Sequence, residues 1–166
     1  CGEYQSLLKS NDYNLVYKKA IEYYNKGDYQ RAMNLLDGVR SVFVGQAKAQ
    51  NIAYYRAFCS YNMKDYQIAS DLFKQFIQTY PESSFAEECL YMMGFCDYKA
   101  SPKPRLDQQV TEKAIREFQL YLSRYPYSMR KDKVNTYMDE MRDKLSYKAY
   151  LSAKNYYLRE HYKAAV

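Results

Sequence analysis

Tryptophan is absent from this chain of 166 residues, histidine occurs once, and glycine and proline number only five and four. Few of the usual helix breakers are therefore present, and with 48% apolar residues the composition excludes disorder and favours long helices. No apolar run approaches the roughly 20 residues that a membrane-spanning helix requires. Charge of one sign is not concentrated either. The 25 basic and 19 acidic residues leave +6, spread along the sequence, and only Arg130, Lys131 and Lys133 begin to cluster. That distribution reads as a solvated face, with no nucleic-acid patch.

The groups that catalysis needs are missing in company. His161 falls in a predicted interhelical turn, no Cys or His pair stands at ligand spacing, and Gly27, Gly38, Gly45 and Gly94 each stand alone, so no phosphate loop is formed. Asp139 and Glu140 fall on charged helix faces. The sequence thus predicts no catalytic residue, no metal and no cofactor: a binding scaffold and not an enzyme.

What is present begins with Cys1 followed by Gly2, the end left when a signal peptide is removed just before a cysteine. This predicts a lipid on Cys1 and a polar tether over residues 1–12 without periodic signal, ahead of a repeat domain at 13–166. Cys89 and Cys96 are seven residues apart on one predicted helix. That is about 10 Å along the axis and beyond the roughly 7 Å between Cα atoms that a disulfide spans. Cys59 and Cys96 share a repeat position on helices expected to stand about 8 to 10 Å apart. All three read as buried free thiols.

Self-similarity organises the rest. Lys26-Gly27-Asp28-Tyr29-Gln30-Arg31-Ala32 recurs as Met63-Lys64-Asp65-Tyr66-Gln67-Ile68-Ala69, a shift of 37, and again at 159–165. Thr79-Tyr80-Pro81-Glu82-Ser83 recurs as Arg124-Tyr125-Pro126-Tyr127-Ser128, a shift of 45, the extra eight residues being the proline-containing insertion 101–108. Small residues twelve apart (Ala20 and Ala32, Ala57 and Ala69, Ala153 and Ala165), with Gly94, mark where two helices of a hairpin nest closely. Pro81 and Pro126 stop the second helices. This is the tetratricopeptide pattern, and it predicts an all-α, right-handed α-α superhelix of helical hairpins. Helices are expected at 13–26, 29–43, 48–63, 66–79, 84–99, 110–124 and 129–158, to within a few residues. Three hairpins are complete and a fourth has its second helix opening at Tyr162, so the chain reads as a fragment of a longer repeat protein.

In such arrays the first helix of each hairpin lines the concave surface, and positions i, i+4, i+7 share a face. Those positions carry Tyr17, Ile21 and Tyr24, then Tyr54, Phe58 and Tyr61, then Tyr91, Phe95 and Tyr98, with Tyr150, Lys154 and Tyr157 on the fourth. A tyrosine ladder suits capture of extended peptides, since each ring offers apolar area and its hydroxyl a hydrogen bond. Packing of one hairpin on the next would use the same residues, and both readings stand at this point.

The stretch from Met141 onward, with Arg142-x-x-Leu145 leading into a helix that carries Ala153-x-x-Tyr156-Tyr157, resembles the BamD family of outer-membrane assembly lipoproteins. The two Tyr-Pro-x-Ser segments and Cys1 fit the same pattern, and the resemblance covers nearly the whole chain. It implies a periplasmic lipoprotein held in the outer membrane by an N-terminal lipid and working within the β-barrel assembly machinery. The N-terminal repeats would meet peptides of unfolded outer-membrane proteins, making Tyr17, Tyr24, Tyr54, Phe58, Tyr61, Tyr91, Phe95 and Tyr98 a peptide-binding groove. The periplasmic domains of the barrel-forming component would dock from Tyr150, Lys154 and Tyr157 onward. The insertion at 101–108 and the 22 tyrosines depart from the family pattern. Rival readings are an envelope repeat scaffold coordinating cell-wall or division enzymes, and a glycan-binding lipoprotein, for which the absent tryptophan is the missing stacking residue.

Overall fold

The structure, a computed structural model, describes residues 2–164, with the side chains of Tyr162 and Ala164 excepted. The described residues form helices and turns only, as the sequence predicts: α1 (Gly2–Leu8), α2 (Tyr13–Asn25), α3 (Tyr29–Val39), α4 (Ala47–Asn62), α5 (Tyr66–Thr79), α6 (Ala86–Ala100), α7 (Gln109–Arg124) and α8 (Lys131–Ala164). They divide into two compact units, Cys1–Cys96 and Asp97–Val166, the boundary falling in the last turns of α6. Cys1, assigned the lipid, and Ala165, assigned to the last small pair, lie outside the described residues.

In the first unit α2 packs on α3 and α4 on α5, and α3 also meets α4. Ala20, Ala32, Ala57 and Ala69 are completely buried, so the small pairs sit where the helices approach most closely. Leu35, Leu36, Ile52, Phe73 and Phe76 fill the space between, each adding about 1.5–3 kcal/mol by leaving water. Cys59, Cys89 and Cys96 are buried free thiols, and burial pushes the thiols of Cys59 and Cys89 up to about 12.

Helix α2 ends in a left-handed residue, Gly27 at φ 81, with Asp28 N–H reaching back to the Tyr23 carbonyl at 2.9 Å. Asp28 then caps α3 by accepting from Arg31 N–H at 3.3 Å. The second copy repeats the reverse bond, Asp65 N–H to the Ser60 carbonyl at 3.0 Å, but places Lys64 at φ 67. A side chain there costs about 1–2 kcal/mol that glycine avoids, partly offset by glycine's larger freedom in the unfolded chain. Lys64→Gly is therefore expected to stabilise the protein by about 0.5–1 kcal/mol, read as a higher urea midpoint. An unchanged or lower midpoint would count against a strained Lys64.

Two expectations are corrected. Residues 2–8, read as part of a polar tether without periodic signal, form α1, with Leu7 buried and the Tyr4 hydroxyl accepting from the Asn34 amide at 3.0 Å on α3. The turn predicted at 159–161 is absent: α8 runs unbroken from Lys131 to Ala164, and His161 lies inside it. The physical reason is that this copy puts Glu160 and His161 where the earlier ones have the left-handed residue and the capping aspartate, so nothing stops one helix or starts the next.

In the second unit α7 packs on α8. Ala114, Phe118, Tyr121, Val134 and Met141 are buried between them. The 101–108 insertion is an ordered loop tied by a chain of side chains. Lys144, which can only donate, bonds Ser101 Oγ at 2.6 Å; Ser101 donates to Thr111 Oγ1 at 2.6 Å; Thr111 donates to Gln108 Oε1 at 2.8 Å. The Gln108 amide closes the loop on the Lys103 and Leu106 carbonyls at 2.8 and 3.1 Å.

Candidate functional site

Helices α2 and α4 of the first unit leave between them a cleft of about 530 Å³. Tyr17, Lys18, Ile21, Glu22 and Asn25 face it from α2, Asn51, Tyr54 and Tyr55 from α4, and Phe85 closes one end from the turn that precedes α6. The lining combines four aromatic rings with two amides. Among the described residues neither Asn25 nor Asn51 makes a side-chain hydrogen bond to the protein. Lys18 and Glu22 sit a turn apart on the rim, so opposite charges border the rings. Lys19 holds Glu22 at 2.9 Å and Glu3 of α1 at 3.1 Å, and the hydrogen bond to Lys19 holds the Glu22 carboxyl below its ordinary range.

Tyr54 is the centre of the arrangement. Its ring lies 4.6 Å from both Phe58 and Phe85, 5.5 Å from Tyr55 and 6.4 Å from Phe76. Its hydroxyl donates to Glu88 Oε2 at 2.8 Å. Burial, reinforced by that carboxylate, pushes the Tyr54 phenol well above the usual range. Tyr17 is held more loosely, edge-on to Phe43 at 6.1 Å with the Lys48 ammonium 5.6 Å from its ring.

The other rings assigned to the groove are placed differently. Tyr24 stands edge-on to Tyr29 and Tyr55 at 5.4 and 4.9 Å, and burial pushes its phenol up to about 12. Phe58 packs on Phe73 at 5.0 Å, and Tyr61 joins Phe95 at 6.2 Å. Tyr91 is 92% buried and stacks on Phe95 at 5.7 Å. Tyr98 belongs to the second unit, where it stacks on Tyr137 at 4.4 Å and its hydroxyl donates to Glu140, a bond that with burial pushes the phenol up to about 12. Of the eight, only Tyr17 and Tyr54 face the cleft. Lys18, Glu22, Asn51, Tyr55 and Phe85 were not singled out from the sequence, because one stripe at i, i+4, i+7 is narrower than the face two helices share.

Tyr150, Lys154 and Tyr157 are exposed on the distal part of α8, with Tyr147, Tyr156 and Leu158 beside them. Tyr147 and Tyr150 stack at 6.2 Å, and Tyr157 meets the His161 ring edge-on at 4.3 Å. Four tyrosines and a leucine are thus exposed along this part of the helix. Among the described residues no helix is long and apolar enough to cross a membrane, and no three His, Cys, Asp or Glu side chains gather as a metal site.

No curated protein matches the chain. A family model described as outer membrane lipoprotein, YfiO, matches residues 9–166, which takes in the paired hairpins, the cleft, the ordered insertion and α8. The chain belongs to the YfiO family of outer membrane lipoproteins.

Proposed function

We propose that this protein is a non-catalytic scaffold of the β-barrel assembly machinery, anchored by a lipid on Cys1 to the periplasmic face of the outer membrane. The cleft between α2 and α4 takes extended segments of unfolded outer-membrane proteins, and the exposed Tyr150, Lys154 and Tyr157 face of α8 engages the periplasmic domains of the barrel-forming component. The observation that carries this reading is the composition of the cleft. Four rings offer apolar faces to the alternating aromatic side chains of a nascent β-strand, and the Asn25 and Asn51 amides can each donate to and accept from its backbone. Membership of an outer membrane lipoprotein family agrees with that location.

The test is a pull-down from detergent-solubilised envelopes with the full-length lipoprotein, wild type against Tyr17→Ala plus Asn51→Ala, with retained proteins identified by mass spectrometry. The barrel-forming component is expected with both. Unfolded barrel proteins are expected with the wild type and about tenfold depleted with the variant, the loss of roughly 1.4 kcal/mol of contacts. Retention of cell-wall enzymes or glycan in their place would overturn the assembly reading and leave an envelope scaffold of another kind.

A further inference from the structure

The ordered insertion creates a second site, in the second unit, that owes nothing to the aromatic cleft. A pocket of about 270 Å³ lies between it and α8, lined by Arg105, Lys148, Leu151, Ser152 and Asn155. The four α8 residues fall at i, i+3, i+4 and i+7 and so share one face, while Arg105 is brought to them by the loop. Lys148 Nζ donates to the carbonyls of Arg105 and Leu106 at 3.1 and 2.9 Å. Those bonds pin the loop and leave one of the ammonium's three N–H groups for the pocket. Ser152 Oγ donates to the Lys148 carbonyl at 3.1 Å, so the donors left for a ligand are the Arg105 guanidinium, Lys148 and the Asn155 amide.

The charge here is uncompensated. Among the described residues neither Arg105 nor Lys148 pairs with a carboxylate, although acidic residues are near in sequence. Asp107 accepts from Gln109 N–H with Oδ1 at 2.9 Å, Asp139 holds Arg142 at 3.0 Å and Glu140 accepts from Tyr98. One turn earlier Lys144 meets only the Ser101 hydroxyl. Burial lowers its pKa against the attraction of Glu140. Two basic residues and an amide line a cavity whose loop wall is held by a chain of hydrogen bonds, and that donor set suits an oxyanion.

We propose that Arg105, Lys148 and Asn155 bind a phosphate group. A carboxylate held by the two-pronged guanidinium brings a single charge to two cations and offers only two oxygens, each with one lone pair left. A phosphate has oxygens left for the ammonium and the amide, and its second charge answers the second cation.

The whole chain is titrated calorimetrically with inorganic phosphate, against chloride at matched ionic strength, and then with sub-micellar dihexanoyl phosphatidic acid. Wild type, Arg105→Gln, Asn155→Asp and the charge control Lys131→Gln are compared. Arg105→Gln is the clean variant, because Lys148 holds the backbone of that residue and not its side chain. Asn155→Asp, an exposed change on α8, places a repelling carboxylate in the pocket and serves where the first variant misfolds. Saturable phosphate binding is expected, weakened at least tenfold in both site variants and less than twofold in Lys131→Gln. Equal affinity for the two probes points to free phosphate, and tighter binding of the lipid to a headgroup. No heat beyond chloride with either probe, or equal weakening in all three variants, would overturn the site in favour of diffuse charge.

Discussion

At pH 8 the Glu117→Gln variant is expected to unfold at clearly higher urea than the wild type, while near pH 4.5 the two unfold together. Glu117 lies on α7 with its carboxyl beside that of Asp97, at the end of α6, and both are buried in the second unit. Lys113 reaches Asp97 at 2.8 Å and Glu117 only at 3.6 Å, and Glu117 Oε2 has no hydrogen-bond partner. Burial, with the neighbouring Asp97, raises the Glu117 carboxyl from its ordinary 4.5 to about 8, against the opposing pull of Lys113. The folded protein therefore binds a proton there that the unfolded chain has released. Between pH 4.5 and about 8 the native state carries more protons, so stability falls as pH rises through that window and levels off above it. One proton across the whole window has a ceiling of about 5 kcal/mol, and rearrangement around the carboxylate brings the expected loss nearer about 2 kcal/mol. Glutamine keeps the size and a donor without the charge, which removes the slope and raises the melting temperature at pH 8 by roughly 5 °C. An equal pH slope in wild type and variant would show that Glu117 ionises without penalty and would reject this account.

That carboxyl pair also shows where sequence reading stops. Lys113 and Glu117 are an i, i+4 pair on any helix drawing, but the feature that matters is the burial of Asp97 against them, and charge patterning reads charged residues as solvated. The repeat itself was legible because its constraint is steric: helices that nest closely require Ala20, Ala32, Ala57 and Ala69, and the shift of 37 follows them. Helix α1 was not, since seven residues with a single buried leucine carry no periodic signal and depend on Tyr4 meeting Asn34 and Arg31 of α3. The insertion at 101–108 was visible as extra length, but its order comes from bonds that run from Lys144 through Ser101 and Thr111 to Gln108, across some forty residues of sequence. In the cleft the aromatic stripe located Tyr17 and Tyr54 and could not separate rings that face solvent from rings that face one another. Tyr91 and Tyr98 satisfy the same spacing, yet Tyr91 is buried against Phe95 and Tyr98 is engaged by Tyr137 and Glu140.

That separation predicts opposite outcomes for the two cleft tyrosines. Tyr54→Ala removes a ring in contact with Tyr55, Phe58, Phe76 and Phe85, and its neighbours, anchored on three different elements, cannot close the gap. The expected loss is about 3 kcal/mol, a fall of roughly 6–12 °C in melting temperature. Tyr17 has one ring neighbour, Phe43, and a lysine over its face, so Tyr17→Ala is expected to lose only about 1 kcal/mol. For a labelled strand peptide from an outer-membrane barrel, Tyr17→Ala is expected to weaken binding about tenfold in a protein that stays folded. Tyr54→Ala loses affinity and fold together. Tyr54→Phe isolates the polar part, because it keeps every ring contact while removing the 2.8 Å hydroxyl bond to Glu88, for a loss of about 1 kcal/mol in stability and little change in affinity. Thermal melts of the three variants, followed by fluorescence titration of those that remain folded, separate the ring that builds the cleft from the ring that serves it. Equal stability of Tyr54→Ala and Tyr17→Ala would mean that Tyr54 is not the centre of the aromatic cluster. Undiminished peptide affinity in Tyr17→Ala would remove α2 from the binding surface.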